Sequence, residues 1–294
     1  MTSRAAPPAL DLALLGCLAL LWGGSYPLLK VAVAEIPPIT LIAVRVTVAA
    51  LLLLAIAAAQ GARLPRGGAI WGRLFLQSFL NSYGAWTLLA WGQRQIESAL
   101  GAVLNSTSPL FVFLFTVLVT RHEATGGLRL LGACLGLGGV VLIVGTDALN
   151  GLGGQVIAQL AVLVSAGLYA AAALHGRRFS HLPPVVTAAG TMLCAAAVLI
   201  PASLLVDRPW TLAPLAQALA AALVLGVACT GIALLLYFRL VRTLGSLGVA
   251  SQSYLRAGVG VLLGVLVLGE TLTPTVVAGV VAAIAGVVAI NWRR

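Results

Sequence analysis

Sliding this chain along itself by 147 positions, half of its 294 residues, brings Leu100-Gly101 onto Leu247-Gly248, Asn105 onto Gln252 and Ser106 onto Ser253. Glu123 falls on Glu270, Gly132 on Gly279, and Gly139-Val140 on Gly286-Val287. The chain is a tandem duplication, and any fold it adopts is two copies of one plan. We divide it into a first repeat over 1–147 and a second over 148–294.

Each copy is filled with apolar runs close to the length of about 20 residues that crosses a bilayer as a helix. Gly, Pro and charge clusters separate ten of them, at 12–34, 38–60, 70–92, 99–120, 128–146, 155–175, 184–206, 214–238, 246–268 and 273–292. With 61% hydrophobic and 8% charged residues and a mean hydropathy of +1.09, the composition agrees with an all-α integral membrane protein. The first run continues through Trp22 to Val33 and opens the repeat, so it is read as span 1 rather than as a cleaved leader. The cysteines Cys17, Cys134, Cys194 and Cys229 stand singly in apolar runs and are read as small packing residues.

A net charge of +10 would suggest a nucleic-acid partner in a soluble domain, but its distribution points elsewhere. With the N-terminus inside, Arg4, Arg63, Arg66, Arg73, Arg121, Arg129, Arg177, Arg178, Arg239, Arg242, Arg293 and Arg294 fall on inner segments, and only Lys30, Arg94 and Arg208 on outer loops. That bias sets both termini in the cytoplasm. The partners implied are the lipid bilayer and a small solute, with no nucleic acid.

Five spans per copy is an odd number, so two related copies enter the membrane from opposite sides. The 4–5 loop carries Arg121, His122 and Arg129, whereas its copy at Gly269-Glu270-Thr271 carries no base. Inverted repeats supply two exchangeable packings, open to either side, which is a recurrent plan of secondary transporters. The expected architecture is ten transmembrane helices in two inverted five-helix repeats around a central cavity.

At this point the residues resemble the drug/metabolite transporter superfamily, in particular its EamA-type exporters. The features are Leu21-Trp22-Gly23-Gly24-Ser25 with Lys30, Pro38 with Arg45, Asn105-Ser106-Thr107-Ser108-Pro109, and Glu123 with Gly132 in the first half. Gly231, Ala250, Glu270, Gly279 and Gly286-Val287 echo them in the second. The resemblance covers nearly the whole chain and is greatest to the aromatic amino acid exporters. It implies a bacterial inner-membrane carrier that moves small metabolites, often amino acids, outward. Drug efflux and nucleotide-sugar exchange also occur in the superfamily, so fold alone does not choose the cargo.

Polar side chains at bilayer depth mark the places where chemistry is expected. Trp22, Ser25 and Tyr26 share a face of span 1. In span 3, Phe79, Tyr83 and Trp86 follow i, i+4, i+7 as an aromatic stripe beside Asn81; Tyr83 and Trp86 suit a clasp on a substrate side chain, and Asn81 its polar end, unless the stripe packs on a neighbouring helix. Span 4 holds Asn105 and Pro109, where the missing N–H frees a carbonyl and kinks the helix. In span 6, Ser165 and Tyr169 share a face, and Tyr169 is the repeat partner of Trp22. In span 9, Gln252 and Arg256 share a face, with Arg256 suited to a substrate carboxylate. Arg45, about 10 Å below the outer end of span 2, is read as a structural residue that snorkels outward. His175 is read as an interfacial side chain. Glycines in spans 5, 9 and 10 (Gly132, Gly136, Gly260, Gly264, Gly279 and Gly286) read as faces for close helix packing.

All seven acids, Asp11, Glu35, Glu97, Glu123, Asp147, Asp207 and Glu270, fall at helix ends or in loops. A midplane carboxylate is the usual proton-exchanging group, so a facilitated carrier is expected, with ion-coupled efflux of drugs or other metabolites as the alternative. An intramembrane enzyme would need converging nucleophile, base or metal ligands, which His122, His175 and His181 near loops do not supply. No ring of charges or filter-like loop suggests a channel. No cofactor or metal is expected, the protein is read as a monomer, and the substrate as a small amino acid-like zwitterion.

Overall fold

A computed structural model describes residues 9–115, 131–132, 134–136, 138–139, 142, 154–237, 239–240, 243 and 252–291. Helix is the regular structure throughout these residues, with no strand among them. α1 is Ala9–Val33 and α2 Pro38–Ala59. α3 (Gly68–Ser78) and α4 (Gly84–Gln93) form one rod joined by a π-turn at Phe79–Tyr83. α5 is Ser98–Asn105 and α6 Ser108–Phe115. In the second half come α7 (Gly154–Gly176), then α8 (Pro184–Ala202), which runs into a π-turn at Ser203–Asp207. α9 (Ala216–Gly226) continues through a π-turn at Val227–Ile232 to residue 237, and α10 (Gln252–Leu268) and α11 (Pro274–Asn291) follow. These occupy expected spans 1–4 and 6–10; most of span 5 (128–146), the 4–5 loop with Glu123, and Asp147 lie outside the described residues.

Five of the helices are individually long and apolar enough to cross a bilayer: Ala9–Val33, Pro38–Ala59, Gln155–Gly176, Pro184–Asp207 and Ala216–Tyr237. A helix satisfies its own backbone, which is the requirement for a segment surrounded by lipid. Proline at the first position opens α2 and α8, where its absent N–H has no helical partner to lose. Gly61 and Gly269, at φ +66° and +67°, turn the chain after α2 and α10. Large apolar side chains point outward, with Leu51 64%, Val267 67% and Leu205 79% exposed. Such a surface belongs against acyl chains rather than water. Cys17 and Cys134 share that exposed position, whereas Cys194 and Cys229 are buried packing residues as expected.

The connections after α1, α4, α8 and α10 gather at one end of the bundle. Hydrogen bonds between them and to the helices starting there fix this: Thr40 N donates to Asp207, Leu215 N to Glu35, and Ser98 N to Glu270. Those at 60–67 and 177–183 lie at the other end. α7 runs antiparallel to α3–α4, because Gln77 reaches the Ala172 carbonyl, Ser165 the Ala85 carbonyl, and Gly92 faces Ala158 and Val162. α1 therefore runs toward the first end and its repeat counterpart α7 away from it. This is the inversion that the odd span count requires.

The packing obeys the same two-fold exchange. α2 packs on α8, its own copy; α1 packs on α10 as α7 packs on α5 and α6; and α1 packs on α9 as α7 packs on α4. Small residues permit the closest approaches. A Cβ on Gly23 would lie 2.6 Å from the Cβ of Val259, one on Gly260 2.6 Å from the Cβ of Ala102, and one on Gly286 would strike the backbone of Gly132 and Gly136.

Three acids at the first end hold helix N-termini in the opposite half. Asp207 accepts Thr40 N and Thr40 Oγ1, both at 2.8 Å; Glu270 accepts Ser98 N at 2.6 Å, Ala99 N at 2.9 Å and Ser98 Oγ at 3.0 Å; Glu35 accepts Leu215 N at 2.6 Å. A carboxylate there fills orphan N–H groups and meets the positive end of the helix dipole. Lys30 does the converse, donating to the carbonyls of Gln93 and Ile96 past the C-terminus of α4. At the far end Asp11, buried, lies 4.0 Å from the half-exposed Arg239.

Candidate functional site

Midway along the bundle Arg45 of α2 is met by Thr230 of the α9 π-turn and Trp86 of α4, with Tyr169 and Tyr26 within electrostatic reach. Its side chain is 5% exposed and does not snorkel, which corrects the outward path expected for it. Nε donates to Thr230 Oγ1 at 2.8 Å, and the guanidinium lies over the Trp86 ring with Cζ 4.0 Å from the centroid. No acid approaches it among the described residues: Asp11, Glu35, Glu97, Asp207 and Glu270 all sit at helix ends. Burying an unpaired cation costs several kcal/mol. One hydrogen bond from a charged group returns roughly 1.5–3 kcal/mol and a desolvated cation–π contact about 2 kcal/mol. The protein's own groups therefore leave this charge near break-even.

The two π-turns build that environment. Phe79–Tyr83 in the α3–α4 rod and Val227–Ile232 in α9 occupy equivalent places in the two repeats, within a residue of the 147 offset. A π-turn adds a residue to the helical turn and re-aims the side chains after it. Gly84 N bonds back five residues to the Phe79 carbonyl, and a Cβ on Gly84 would lie 2.6 Å from that oxygen. Gly231, the copy of Gly84, meets Leu52 just as closely, and Gly226 lets α9 approach Val48 and the Arg45 carbonyl of α2. Within the second π-turn Thr230 Oγ1 donates to the Leu225 carbonyl, which orients its lone pairs toward Arg45.

Trp86 Nε1 donates to the Tyr169 hydroxyl of α7 in a short contact. Tyr169 lies within electrostatic reach of Arg45, Tyr26 and Arg256. Tyr26, 2% exposed in α1, accepts from Asn105 Nδ2 at 2.9 Å, and the buried Asn105 Oδ1 has no partner. Arg256 of α10 likewise keeps a buried Nε without a hydrogen bond. The centre thus offers two guanidinium groups, two phenols and one free amide oxygen.

Of the residues singled out in the sequence, Tyr26, Trp86, Asn105, Tyr169 and Arg256 come together here. Ser165 ties α7 to α4 through the Ala85 carbonyl, and Ser25 is bonded to the Trp22 carbonyl of its own helix at 2.6 Å. Trp22 packs on Tyr237, ring centroids 5.5 Å apart, in an apolar cluster with Leu15, Leu18 and Leu240. It does not bracket the centre opposite Tyr169, because its helix face at that level meets α9. Tyr83 stacks on Phe75 and Phe79, both exposed, in a ladder on the outer side of the rod. Trp86 leaves that ladder because the π-turn lies between them, so the joint clasp expected of Tyr83 and Trp86 is not formed. Asn81 is half-buried within the π-turn. Span 4 breaks at residues 106–107, between α5 and α6, and Pro109 stands second in α6, where its missing N–H would otherwise have met Asn105. The side chains of Pro109 and Gln252 lie outside the described residues. His175 Nδ1 pairs with Gln77 Oε1 at 2.9 Å near the Arg-rich end.

Thr230 and the central place of Arg45 escaped the sequence reading. The available signal was the repeated pair Gly84 and Gly231, which flags an equivalent backbone irregularity in both halves.

The EamA-like transporter family matches this chain twice, over residues 11–145 and 156–292. The uncharacterized inner membrane transporter YedA of Escherichia coli K12 is 27% identical over 256 residues, covering 87% of this chain and 82% of its own. The uncharacterized transporter YoaV of Bacillus subtilis is 25% identical over 224 residues, 74% of this chain and 75% of its own. A solved structure, described only as a protein crystal structure, superposes with a TM-score of 0.67 at 20% identity over 95% of this chain and 96% of that one, a likeness of fold alone. With two family matches that span both halves of a duplicated, all-helical membrane fold, the chain belongs to the EamA-like transporter family within the drug/metabolite transporter superfamily.

Proposed function

We propose that this protein is a multi-pass inner-membrane carrier that exports small zwitterionic metabolites, amino acids including aromatic ones, by facilitated alternating access. The observation that carries the reading is the composition of the centre: guanidinium groups of Arg45 and Arg256 with no acid among the described residues, beside the free acceptor Asn105 Oδ1 and the rings of Tyr26, Trp86 and Tyr169. Cationic groups favour a carboxylate, the amide oxygen suits an ammonium, and the rings suit an apolar side chain. Ser165, Ser25 and Asn81 line or support the same level of the bundle, and Gln252 and Pro109 belong to helices that enter it.

The inner-membrane setting is supported by the relative YedA, and the orientation by the clustering of Arg63, Arg66, Arg177, Arg178 and Arg239 at one end of the bundle. That end is assigned to the cytoplasm together with both termini. Membership of the transporter family supports a carrier rather than an enzyme, and the absence of a central acid among the described residues supports transport down the substrate gradient. The test is counterflow in proteoliposomes with a panel of amino acids. Saturable exchange of phenylalanine that is indifferent to an imposed proton gradient supports the reading. Flux that appears only with a proton gradient, or no exchange of any amino acid, sinks it.

A further inference from the structure

We propose that Arg45 is the residue that captures the substrate carboxylate, end-on through its two terminal nitrogens, in a seat prepared by the paired π-turns. The inference deepens the carrier reading above and rests on it for the solute's chemistry.

A guanidinium has five N–H donors in a planar fork. In Arg45 one edge is used: Nε donates to Thr230 Oγ1 at 2.8 Å. One face is covered, by the Trp86 ring at 4.0 Å. The two terminal nitrogens meet no hydrogen-bond acceptor among the described residues, although the side chain is 5% exposed. With these donors idle the burial of the charge stays near break-even, and an anion that joins them tips it to favourable. The idle donors are the pair whose parallel N–H bonds match the two oxygens of a carboxylate. Thr230 and Trp86 fix the plane of the fork, and both owe their positions to a π-turn, one in each repeat. A guanidinium held by groups from both halves is also placed to feel any rearrangement between them.

Arg256 contributes differently. It lies within electrostatic reach of Tyr169, and its buried Nε, the atom that Thr230 holds in Arg45, has no hydrogen-bond partner. It raises the positive potential of the centre without the fixed plane that Arg45 has.

The experiment measures binding and transport separately on the purified full chain in lipid nanodiscs and proteoliposomes. Probes are 3-phenylpropionate, its amide, and phenylalanine. Wild-type protein is expected to bind 3-phenylpropionate about 100-fold more tightly than the amide, the order expected when a charge-assisted fork is lost. Arg45→Gln is expected to bring that ratio close to 1 by weakening the acid and not the amide. Arg45→Lys keeps the charge but not the fork and should retain only about a tenth of the preference. Thr230→Val, which frees Nε, should weaken the acid about fivefold. Arg256→Gln should weaken the acid only about threefold, so that most of the acid-to-amide preference remains. If Arg45→Gln does not remain monodisperse, the lysine and valine variants decide alone. A preference that survives in the Arg45 variants and collapses in Arg256→Gln overturns the proposal, as does a wild type that binds neither carboxylate. Carboxylate binding through Arg45 without counterflow of any amino acid would refute the carrier reading and leave the anchor standing.

Discussion

Glu270 offers the sharpest test of how the two halves are held. Its carboxylate accepts three donors at the N-terminus of α5, Ser98 N at 2.6 Å, Ala99 N at 2.9 Å and Ser98 Oγ at 3.0 Å, and Ser98 is fully buried. In Glu270→Ala these donors lose their partner while Ser98 and Ala99 stay buried. An unsatisfied buried donor costs about 1–3 kcal/mol, and the lost charge at a helix N-terminus a further 0.3–1 kcal/mol or so. Glu270 itself is partly exposed, so screening and water entry recover part of this. A net destabilisation of about 2–4 kcal/mol remains. Glu270→Gln keeps one acceptor oxygen but turns an NH2 toward donors, for about half the loss. Thermal unfolding of purified protein in one detergent, followed by intrinsic fluorescence, orders the three as wild type, glutamine, alanine. Because the contact joins the halves at one end only, a cysteine placed at Ala99 in the alanine variant should also label faster from that end. Variants that melt within the scatter of wild type would refute the reasoning, since they would mean that the buried N–H groups have another partner.

Glu97 should make stability depend on pH. Burial, and then the neighbouring Glu270, push its carboxyl above the ordinary value of 4.5. A raised folded-state value means that the folded protein holds the proton more tightly, so this contribution is fully present below 4.5 and is lost as pH rises through the raised value. Wild type should gain melting temperature as pH falls through that window, and Glu97→Gln should flatten the slope. Gly286→Leu should abolish a monodisperse peak on size exclusion, because its side chain meets the backbone of Gly132 and Gly136, which has no rotamer by which to yield. Tyr83→Phe should leave phenylalanine counterflow near wild type, since that ring belongs to the outer ladder. Trp86→Ala, which uncovers Arg45 and removes the bond to Tyr169, should reduce counterflow about tenfold or more.

Membership of a polytopic helical fold was legible in the sequence because lipid leaves a chain so few options. Every backbone group must be satisfied within its own helix, so apolar runs of spanning length identify the elements. A 147-residue repeat with five runs per copy forces the inversion by parity alone. Acids at helix ends were also visible, although the sequence could not tell that Asp207, Glu270 and Glu35 reach across to N-termini of the opposite half.

The centre was legible only in part. Tyr26, Asn105, Tyr169 and Arg256 were found because polar groups inside apolar runs are few and must meet something. Trp22, Tyr83 and Arg45 were misplaced for one reason: a 3.6-residue period assumes an unbroken helix. The π-turn at Phe79–Tyr83 parts Trp86 from the face of Tyr83, and the one at Val227–Ile232 presents Thr230 to α2. Which inward groups touch is set by where five helices from each half cross, a property of distant pairs such as 45 with 230 and 86 with 169. Local spacing fixes the rods and their direction; only their packing decides that a buried arginine lies over a tryptophan with both terminal nitrogens of its fork unclaimed.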